Sequence, residues 1–495
     1  MKFISAMLAA GPRVALLQPF AANRARREVD TAQIDTLIEP RWIVPVRPHG
    51  ALLESHAIAV DGGLIRAVLP VAEAERHFSA RSVVRLPDHC VTPGLVNAHT
   101  HASMALLRGV GDDMPLQQWL TERIWPLEQA LVGEEFVHDG ARLAAVEMLR
   151  AGVTTCSDMY FYPDVVARAL TSVGMRAVVG IIAIGFPTAY AVDAEDYLRK
   201  GLQARDALRD DPLVSFTLAP HAPYTVSDET LARVSTLAEE LDLPVHIHVH
   251  ETAREIEDSI EQHGLRPLER LDRLGLLSER MIAVHAVHLT DAEIAQLGRV
   301  GASVAHCPVS NLKLANGVAR VPAMLAAGVN VALGTDGAAS NNRLDMFDEA
   351  RFAALLAKAV AGDASMLPAA AALECATING ARALGLDKRI GSIEAGKEAD
   401  LVAIELASPE VFPLFDPVSH LLYASGREHV TDVWVAGRHV VQTRQLINDE
   451  GIALDRAVLS SSSAWQNRCR QLLREKAPAR SPSSKTPASG NWTPR

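Results

Sequence analysis

The sequence lacks long apolar runs and an excess of basic residues. No run of apolar residues reaches the ~18 that a membrane-spanning helix needs. The 495 residues carry 48 Lys and Arg against 59 Asp and Glu, which gives a formal net charge of −11. Without surplus positive charge the chain has little with which to neutralise phosphates, so we expect neither nucleic-acid nor membrane partners. A small-molecule ligand is expected instead.

Cysteines are few and show no pairing pattern. The five are scattered, odd in number and free of any Cys-x-x-Cys motif: Cys90, Cys156, Cys307, Cys375 and Cys469. This usage is typical of reduced thiols and predicts a cytoplasmic protein without a disulfide framework. Because 48 % of residues are hydrophobic and 22 % charged, the chain can bury a large core, and we expect one large domain with a smaller one.

The chain ends differ in composition from the rest. Residues 1–32 are basic and poor in acids up to Glu28, which predicts a poorly ordered extension, with a signal or transit peptide as the alternative. Residues 451–476 predict a C-terminal helix. The tail 477–495 has four prolines and no acidic residue, which predicts disorder.

Two stretches near the chain ends have short β-type runs separated by turn signals. In residues 33–92, Asp61-Gly62-Gly63 separates two such runs, as in a hairpin, and in residues 396–450 Ala436-Gly437-Arg438 does the same. We expect the two stretches to combine into one small β-sandwich domain.

Residues 93–395 alternate strand-like apolar runs with helical patterns such as Glu135–Leu149 and Thr230–Leu241. Eight strand ends are predicted, at His101, Thr155–Asp158, Gly180–Ile184, His221, His248–Glu251, His285, His306 and Asp336. This pattern favours an α/β fold with a (β/α)8 barrel over an open sheet, with its chemistry where the strands end.

A pair of histidines ends the first barrel strand. His99 and His101 are spaced i, i+2, so both rings lie on one face of a strand, where one divalent metal could take a nitrogen from each. The pair alone is weak support for a metal site. The support becomes strong because more polar residues end later strands: His221, His246, His248, His250, Glu251, His285, His306 and Asp336.

The segment Val245–Glu251 offers three histidines on one face, and spacing does not choose between His248 and His250 as a ligand. His246 is interpreted as a core or supporting residue. Glu251 would lie on the opposite face unless the strand breaks there, and a carboxylate beside activated water suits proton transfer.

Asp336 ends an apolar run and is predicted as an oxygen ligand that also accepts a proton from water, completing a zinc site of three nitrogens and one oxygen. The alternative is a helix N-cap. His285 is either a further ligand or a hydrogen-bond partner of the nucleophile. The segment Leu218–Pro223 contains no lysine that could bridge two metals, so a single metal is expected.

Several motifs together resemble the amidohydrolase superfamily, and within it the 5-methylthioadenosine/S-adenosylhomocysteine deaminases, which are related to triazine hydrolases. The resemblance covers about residues 35 to 450. It is carried by Pro93–His101, Leu107–Gly109, Trp119–Leu120, Trp125–Glu128, Ile247–Thr252, Ser310–Leu314, Leu333–Asn342 and Gly391–Leu401.

The resemblance implies a TIM-like barrel with a β-sandwich and a hydrolase acting on C–N bonds of cyclic amidines. It implies one divalent metal per subunit, zinc before iron(II), held by His99, His101, His248 and Asp336. Glu251 would protonate the purine ring and His285 would orient the attacking hydroxide. The residues expected to hold a purine nucleoside are Glu128, His221, Trp119, Glu251 and Asp336. A homo-oligomer is also implied.

One departure from the family bears on the substrate. Members that deaminate S-adenosylhomocysteine carry an arginine a few residues after a Gly-Met-Arg segment, and here Gly174-Met175-Arg176 is followed by Ala177 to Ile181 with none. Methylthioadenosine or adenosine is therefore predicted over S-adenosylhomocysteine. The alternatives are a triazine or guanine-type hydrolase, which would give Glu128 no ribose to bind, and a non-catalytic scaffold.

Overall fold

Seventeen strands are present in the computed structural model, which describes residues 31–447 and 453–475. The first five are β1 (Ala32–Ile43), β2 (Leu53–Glu54), β3 (His56–Asp61), β4 (Leu64–Pro70) and β5 (Phe78–Pro93). The next eight are β6 (Leu95–Thr100), β7 (Val153–Asp158), β8 (Arg176–Ala183), β9 (Val214–Pro220), β10 (Val245–Val249), β11 (Met281–His285), β12 (Ser303–His306) and β13 (Asn330–Leu333). The last four are β14 (Leu401–Glu405), β15 (Val430–Val435), β16 (Arg438–Gln442) and β17 (Gln445–Leu446).

Eighteen α-helices lie between and after these strands in the same described residues. They are α1 (Val71–His77), α2 (Leu116–Trp119), α3 (Trp125–Leu131), α4 (Glu134–Arg150), α5 (Pro163–Ser172), α6 (Ala194–Leu208), α7 (Asp228–Leu241), α8 (Ala253–His263), α9 (Pro267–Arg273), α10 (Asp291–Val300), α11 (Pro308–Lys313), α12 (Val321–Ala326), α13 (Ala338–Asn341), α14 (Met346–Ala361), α15 (Ala369–Cys375), α16 (Ile378–Ala383), α17 (Pro417–Tyr423) and α18 (Ala453–Glu475). Among these helices, none is both long and apolar enough to cross a bilayer.

The strands β6 to β13 form a parallel barrel in which each strand pairs with its neighbour along the chain. The barrel closes where β13 returns to β6, because the Asp336 N–H donates to the His99 carbonyl oxygen at 3.0 Å. Gly334 permits this approach, since a Cβ there would lie 2.8 Å from His99 Cβ. The predicted (β/α)8 barrel is confirmed.

Helix α7 illustrates why the helical segments form. Ser227 caps its N-terminus by accepting a hydrogen bond from the Thr230 N–H, which satisfies one of the free donors of the first turn. Leu231, Val234 and Ala238 recur at helical spacing and are buried. The helix therefore covers the barrel with its apolar face.

The remaining strands form one hydrogen-bonded sheet from both chain ends, in the order β17-β16-β15-β14-β5-β1-β3-β4, with β2 beside β1. The turn at Gly62-Gly63 joins β3 to β4, and the turn at Ala436-Gly437 joins β15 to β16. The prediction of a small β domain built from both ends is confirmed. Of the predicted extension, residues 1–30 lie outside the described residues, as does the predicted tail.

A buried ion pair connects the two sheets. Arg176 begins β8 and is 1 % exposed. Its Nε and Nη2 donate to the two carboxylate oxygens of Asp400 at 3.1 and 3.0 Å, and Nη2 also donates to Glu398. The amino end of the barrel is thereby attached to the chain-end sheet, and the carboxyl end remains available for the site.

Candidate metal centre and active site

Three imidazoles converge at the carboxyl ends of the barrel strands. His99 lies in β6, His101 follows it, and His248 lies in β10. One nitrogen from each of these rings lies within 4.8 Å of the others. The rings of His99 and His248 are buried, and that of His101 is partly buried. The arrangement has the dimensions of a cation site with three nitrogen ligands.

Hydrogen bonds fix which nitrogen each ring presents to the cluster. His101 Nδ1 lies 2.6 Å from the Met159 carbonyl oxygen, and His248 Nδ1 lies 2.7 Å from that of His221. Because a carbonyl only accepts, Nδ1 carries a proton in both rings, and Nε2 is the nitrogen that a metal would bind.

His99 completes this pattern. Its Nδ1 lies 3.0 Å from His246 Nε2, whereas its buried Nε2 has no hydrogen-bond partner in the described part of the chain. A buried nitrogen without a partner is costly, and a metal ion would remove that cost. These donor atoms therefore fit a divalent metal.

Asp336 supplies an oxygen to the same cluster. Its Oδ1 lies 3.4 Å from His99 Nε2 and 3.3 Å from His101 Nε2. Its Oδ2 accepts hydrogen bonds from Ser310 at 2.6 Å and Ser340 at 2.8 Å. Oδ2 is thus held by two hydroxyls, while Oδ1 accepts a hydrogen bond from the Gly337 N–H at 2.7 Å and faces His99 and His101.

The electrostatics of the cluster favour positive charge beside Asp336. Burial lowers the pKa of His99 to about 4, so this ring is neutral. Burial acts on His101 in the same direction, but the Asp336 carboxylate outweighs it and raises the pKa of His101 to about 9. A metal must displace that proton, which makes its binding pH-dependent.

Glu251 and His285 lie beside the cluster. Asn316 Nδ2 donates to Glu251 Oε1 at 2.9 Å, and His285 Nε2 lies 3.8 Å from the same oxygen. His285 Nδ1 donates to Asn311 Oδ1 at 2.9 Å, which leaves Nε2 to face the site. Burial raises the pKa of the Glu251 carboxyl and favours its protonated form.

The strand β10 ends at Val249, before the third histidine of the segment. This end distinguishes His248 from His250 as the candidate metal ligand. His250 adopts a φ of +55°, and its Nε2 accepts a hydrogen bond from the Leu268 N–H at 3.1 Å. The structure therefore brings His248, and not His250, to the cluster. The break also places Glu251 beside the cluster, as expected for a strand that stops there.

The other candidate residues take different positions. His221 packs on His248, with ring centroids 5.0 Å apart, and Tyr160 donates to Glu128 Oε1 at 2.7 Å. Trp119 is buried at the end of α2, where Gly111 approaches its indole. His306 is buried at the end of β12 and is not among the clustered imidazoles.

Comparisons with known proteins identify the family of the chain. Residues 90–440 match the amidohydrolase family. The chain belongs to the amidohydrolase family. It is 46 % identical to a 5-methylthioadenosine/S-adenosylhomocysteine deaminase of Teredinibacter turnerae, over 84 % of this chain and 94 % of that relative.

Solved structures of other amidohydrolases resemble this one closely. An adenosine deaminase from Xanthomonas campestris with bound zinc is 52 % identical, covers 89 % of this chain and 100 % of its own, and superposes with a TM-score of 0.87. Atrazine chlorohydrolase from Arthrobacter aurescens with zinc is 23 % identical, covers 87 % of this chain and 100 % of its own, and has a TM-score of 0.79. The second likeness concerns the fold alone.

Several side chains that support this amidohydrolase site received no role from the sequence. Ser310 and Ser340 lie in motifs that carry the resemblance, but only the structure shows that both donate to Asp336. For His246, strand spacing predicts only a core or supporting role, and the contact with His99 identifies which side chain it supports. Asn316 carries no sequence signal, because a loop asparagine beside glycine is typical of a turn.

Proposed function

We propose that the protein is a metal-dependent hydrolytic deaminase of adenosine-type nucleosides. It converts methylthioadenosine or adenosine and water into the inosine-type product and ammonia. The observation that carries the proposal is the convergence of His99, His101, His248 and Asp336 beside the buried Glu251. The names of the relatives support the same reaction.

The three imidazoles and Asp336 would hold one divalent metal, zinc before iron(II). The Nδ1 contacts of the three rings orient each Nε2 toward the cluster. When bound, such a metal supplies Lewis acidity that lowers the pKa of water from ~15.7 toward ~7.

Asp336 and His285 act on the attacking water. Asp336 Oδ1 accepts a proton from it, because this oxygen faces His99 and His101 and takes only the Gly337 N–H besides, whereas Oδ2 already accepts from Ser310 and Ser340. His285 accepts a hydrogen bond from the same water at Nε2, since its Nδ1 is committed to Asn311. The water oxygen then attacks the ring carbon that carries the amino group.

Glu251 acts on the opposite side of the substrate as a general acid. Its raised pKa keeps a proton available, and Asn316 occupies Oε1, so Oε2 donates this proton to the ring nitrogen next to the attacked carbon. The amino group then leaves as ammonia with the proton that Asp336 took from water, and the hydroxyl proton of the adduct returns to Glu251, which restores both carboxyl groups.

Glu128, His221 and Trp119 would hold the nucleoside. Tyr160 already occupies Glu128 Oε1, and the remaining oxygen suits a ribose hydroxyl. The His221 ring packs at a tilt against His248 beside the cluster and suits the purine edge. Trp119 is assigned to the wall of the pocket.

The 5′ substituent should be uncharged. Between residues 177 and 198 the chain contains no Lys or Arg, and Arg176 is committed to Asp400 at the far end of β8. A substrate carboxylate would meet no cation from this segment. S-adenosylhomocysteine should therefore be the poorest of the three nucleosides.

Ammonia release from methylthioadenosine, adenosine, S-adenosylhomocysteine, guanine and a triazine tests these assignments. The two uncharged adenosines should give the highest kcat/KM, and Glu251→Gln should lower kcat for both by about 10²–10⁴-fold. A triazine or guanine as the best substrate would replace the proposed activity. S-adenosylhomocysteine as the best substrate would overturn only the 5′ assignment.

Two further assignments accompany the activity. The five cysteines are buried free thiols, which supports a cytoplasmic location. A homo-oligomer remains a prediction, which the molar mass in solution would test.

A further inference from the structure

Glu255 is a buried carboxylate to which the proposed mechanism gives no part. It lies in the first turn of α8 and is 7 % exposed. Its Oε1 accepts a hydrogen bond from the His250 N–H at 3.1 Å, and its Oε2 accepts one from the Glu251 N–H at 2.8 Å. One carboxylate thus holds two successive backbone donors of the turn that carries Glu251.

This contact differs from ordinary helix capping. At α10, Thr290 and Glu293 form a capping box in which Glu293 accepts from the N–H of the cap residue itself. At α8 the cap is Thr252, which accepts from the Glu255 N–H at 3.1 Å. The Glu255 carboxylate, however, reaches past Thr252 to the two residues before it.

The turn that Glu255 holds has an unfavourable backbone conformation. His250 is not glycine, yet its φ is +55°, a conformation that is unfavourable for an L-residue because Cβ crowds the following carbonyl oxygen. Such a conformation persists only where surrounding contacts impose it. Two hydrogen bonds to one buried carboxylate supply such contacts, and the turn directs the next residue, Glu251, toward Asn316 and the cluster.

We propose that Glu255 is a positioning residue that holds the Glu251 side chain in place for proton transfer. This inference rests on the proposed deaminase function. Because Glu255 acts through Glu251 and touches neither the substrate nor the imidazole cluster, its loss should lower kcat while leaving KM and metal content nearly unchanged.

A double-mutant cycle tests whether Glu255 acts on kcat through Glu251. In Glu255→Gln only one side-chain oxygen can accept, and the amide N–H groups oppose the other backbone donor. We expect kcat for adenosine deamination to fall at least tenfold, with KM and metal content within twofold of the wild type. In the Glu251→Gln background the same change should alter kcat less than twofold, because the group being positioned is already absent.

Asp345→Asn is the matched control. Asp345 is also a buried carboxylate at the start of a helix: its Oδ1 accepts from the N–H groups of Phe347 and Asp348 in α14, and its Oδ2 pairs with Arg343, a pair that the amide would lose. This variant should lose thermal stability and keep its kcat. Glu255→Asp, one methylene shorter, is the second variant if Glu255→Gln does not fold, and it should show the same dependence on Glu251.

The outcomes separate the two proposals. An active wild type in which the Glu255 variants lower kcat by the same factor with and without Glu251 would overturn only the role of Glu255. The same conclusion would follow from a control variant that loses as much kcat, or from two Glu255 variants that both fail to fold. A wild type that releases no ammonia from any adenosine would overturn both.

Discussion

At the scale of single residues, the site is built from side chains that each divide their polar atoms between the protein and the site. His101 and His248 donate through Nδ1 to carbonyl oxygens and present Nε2 to the cluster. Asp336 gives Oδ2 to two serines, while its Oδ1 accepts from the Gly337 N–H and faces His99 and His101. Supporting residues therefore determine which atoms remain for chemistry.

Tyr160 should matter for substrate binding through Glu128. In Tyr160→Phe the half-buried Glu128 loses the hydroxyl that donates to Oε1, so its remaining oxygen is less well fixed for a ribose hydroxyl. We expect KM for adenosine to rise about three- to tenfold with kcat nearly unchanged, since binding of this kind is equal in ground and transition states.

The matched control is Tyr162→Phe, because the Tyr162 hydroxyl donates to the Ala189 carbonyl oxygen instead. Steady-state kinetics of both variants would decide the point. A Tyr160→Phe variant with a lowered kcat and an unchanged KM would contradict the assignment of Glu128 to ribose.

The choice between His248 and His250 shows where inference from the sequence stopped at this scale. Period-2 spacing puts both on one face of a strand, and only the resemblance favoured His248. The positive φ of His250 separates it from His248. Neither composition nor periodicity can predict a positive φ at a residue other than glycine.

At the scale of elements, the barrel strands bring the site residues together because their carboxyl ends lie at the same end of the barrel. The polar residues that end apolar runs marked these strand ends in the sequence, which is why the barrel could be predicted. The parallel pairing of β1 with β5 could not be predicted, because the only sequence signal in these two segments is β-type patterning, which does not specify the partner strand.

Closure of β13 on β6 should control metal binding. In Gly334→Ala the new Cβ would lie 2.8–2.9 Å from atoms of His99, so β13 must shift and carry Asp336 away from the imidazoles. We expect the free energy of unfolding to fall by about 1–3 kcal/mol and zinc affinity to fall at least tenfold.

Gly133→Ala is the control, because nothing lies within 4 Å of a Cβ at that position. Chemical denaturation and zinc competition with a chelator measure both quantities. If Gly334→Ala weakened zinc binding no more than the control does, closure would not be what brings Asp336 to the imidazoles.

At the scale of the whole molecule, a buried ion pair between Arg176 and Asp400 connects the barrel to the chain-end sheet. Arg176→Met leaves the Asp400 carboxylate buried without its main cation. Removing one partner of a buried pair costs about 3–5 kcal/mol, and we expect a loss of this size in the free energy of unfolding. The kcat of the folded enzyme should not change, because Arg176 lies at the opposite end of β8 from the site.

The comparison is Arg254→Met, which removes an exposed i, i+4 pair with Asp258 on α8 and should cost less than about 0.5 kcal/mol. Denaturant unfolding monitored by tryptophan fluorescence would distinguish them. Equal losses in the two variants would mean that the buried pair does not hold the two sheets together.

The most direct measurement is titration of metal-free protein with zinc while ammonia release from methylthioadenosine is followed. Activity should rise in proportion to added zinc and reach a plateau at about one metal per chain, the content expected of a site with one set of three imidazoles and one carboxylate. Asp336→Ala should stay inactive at every zinc concentration. Metal-free protein that releases ammonia as fast as the zinc-loaded form would contradict the assignment of these residues to a catalytic metal.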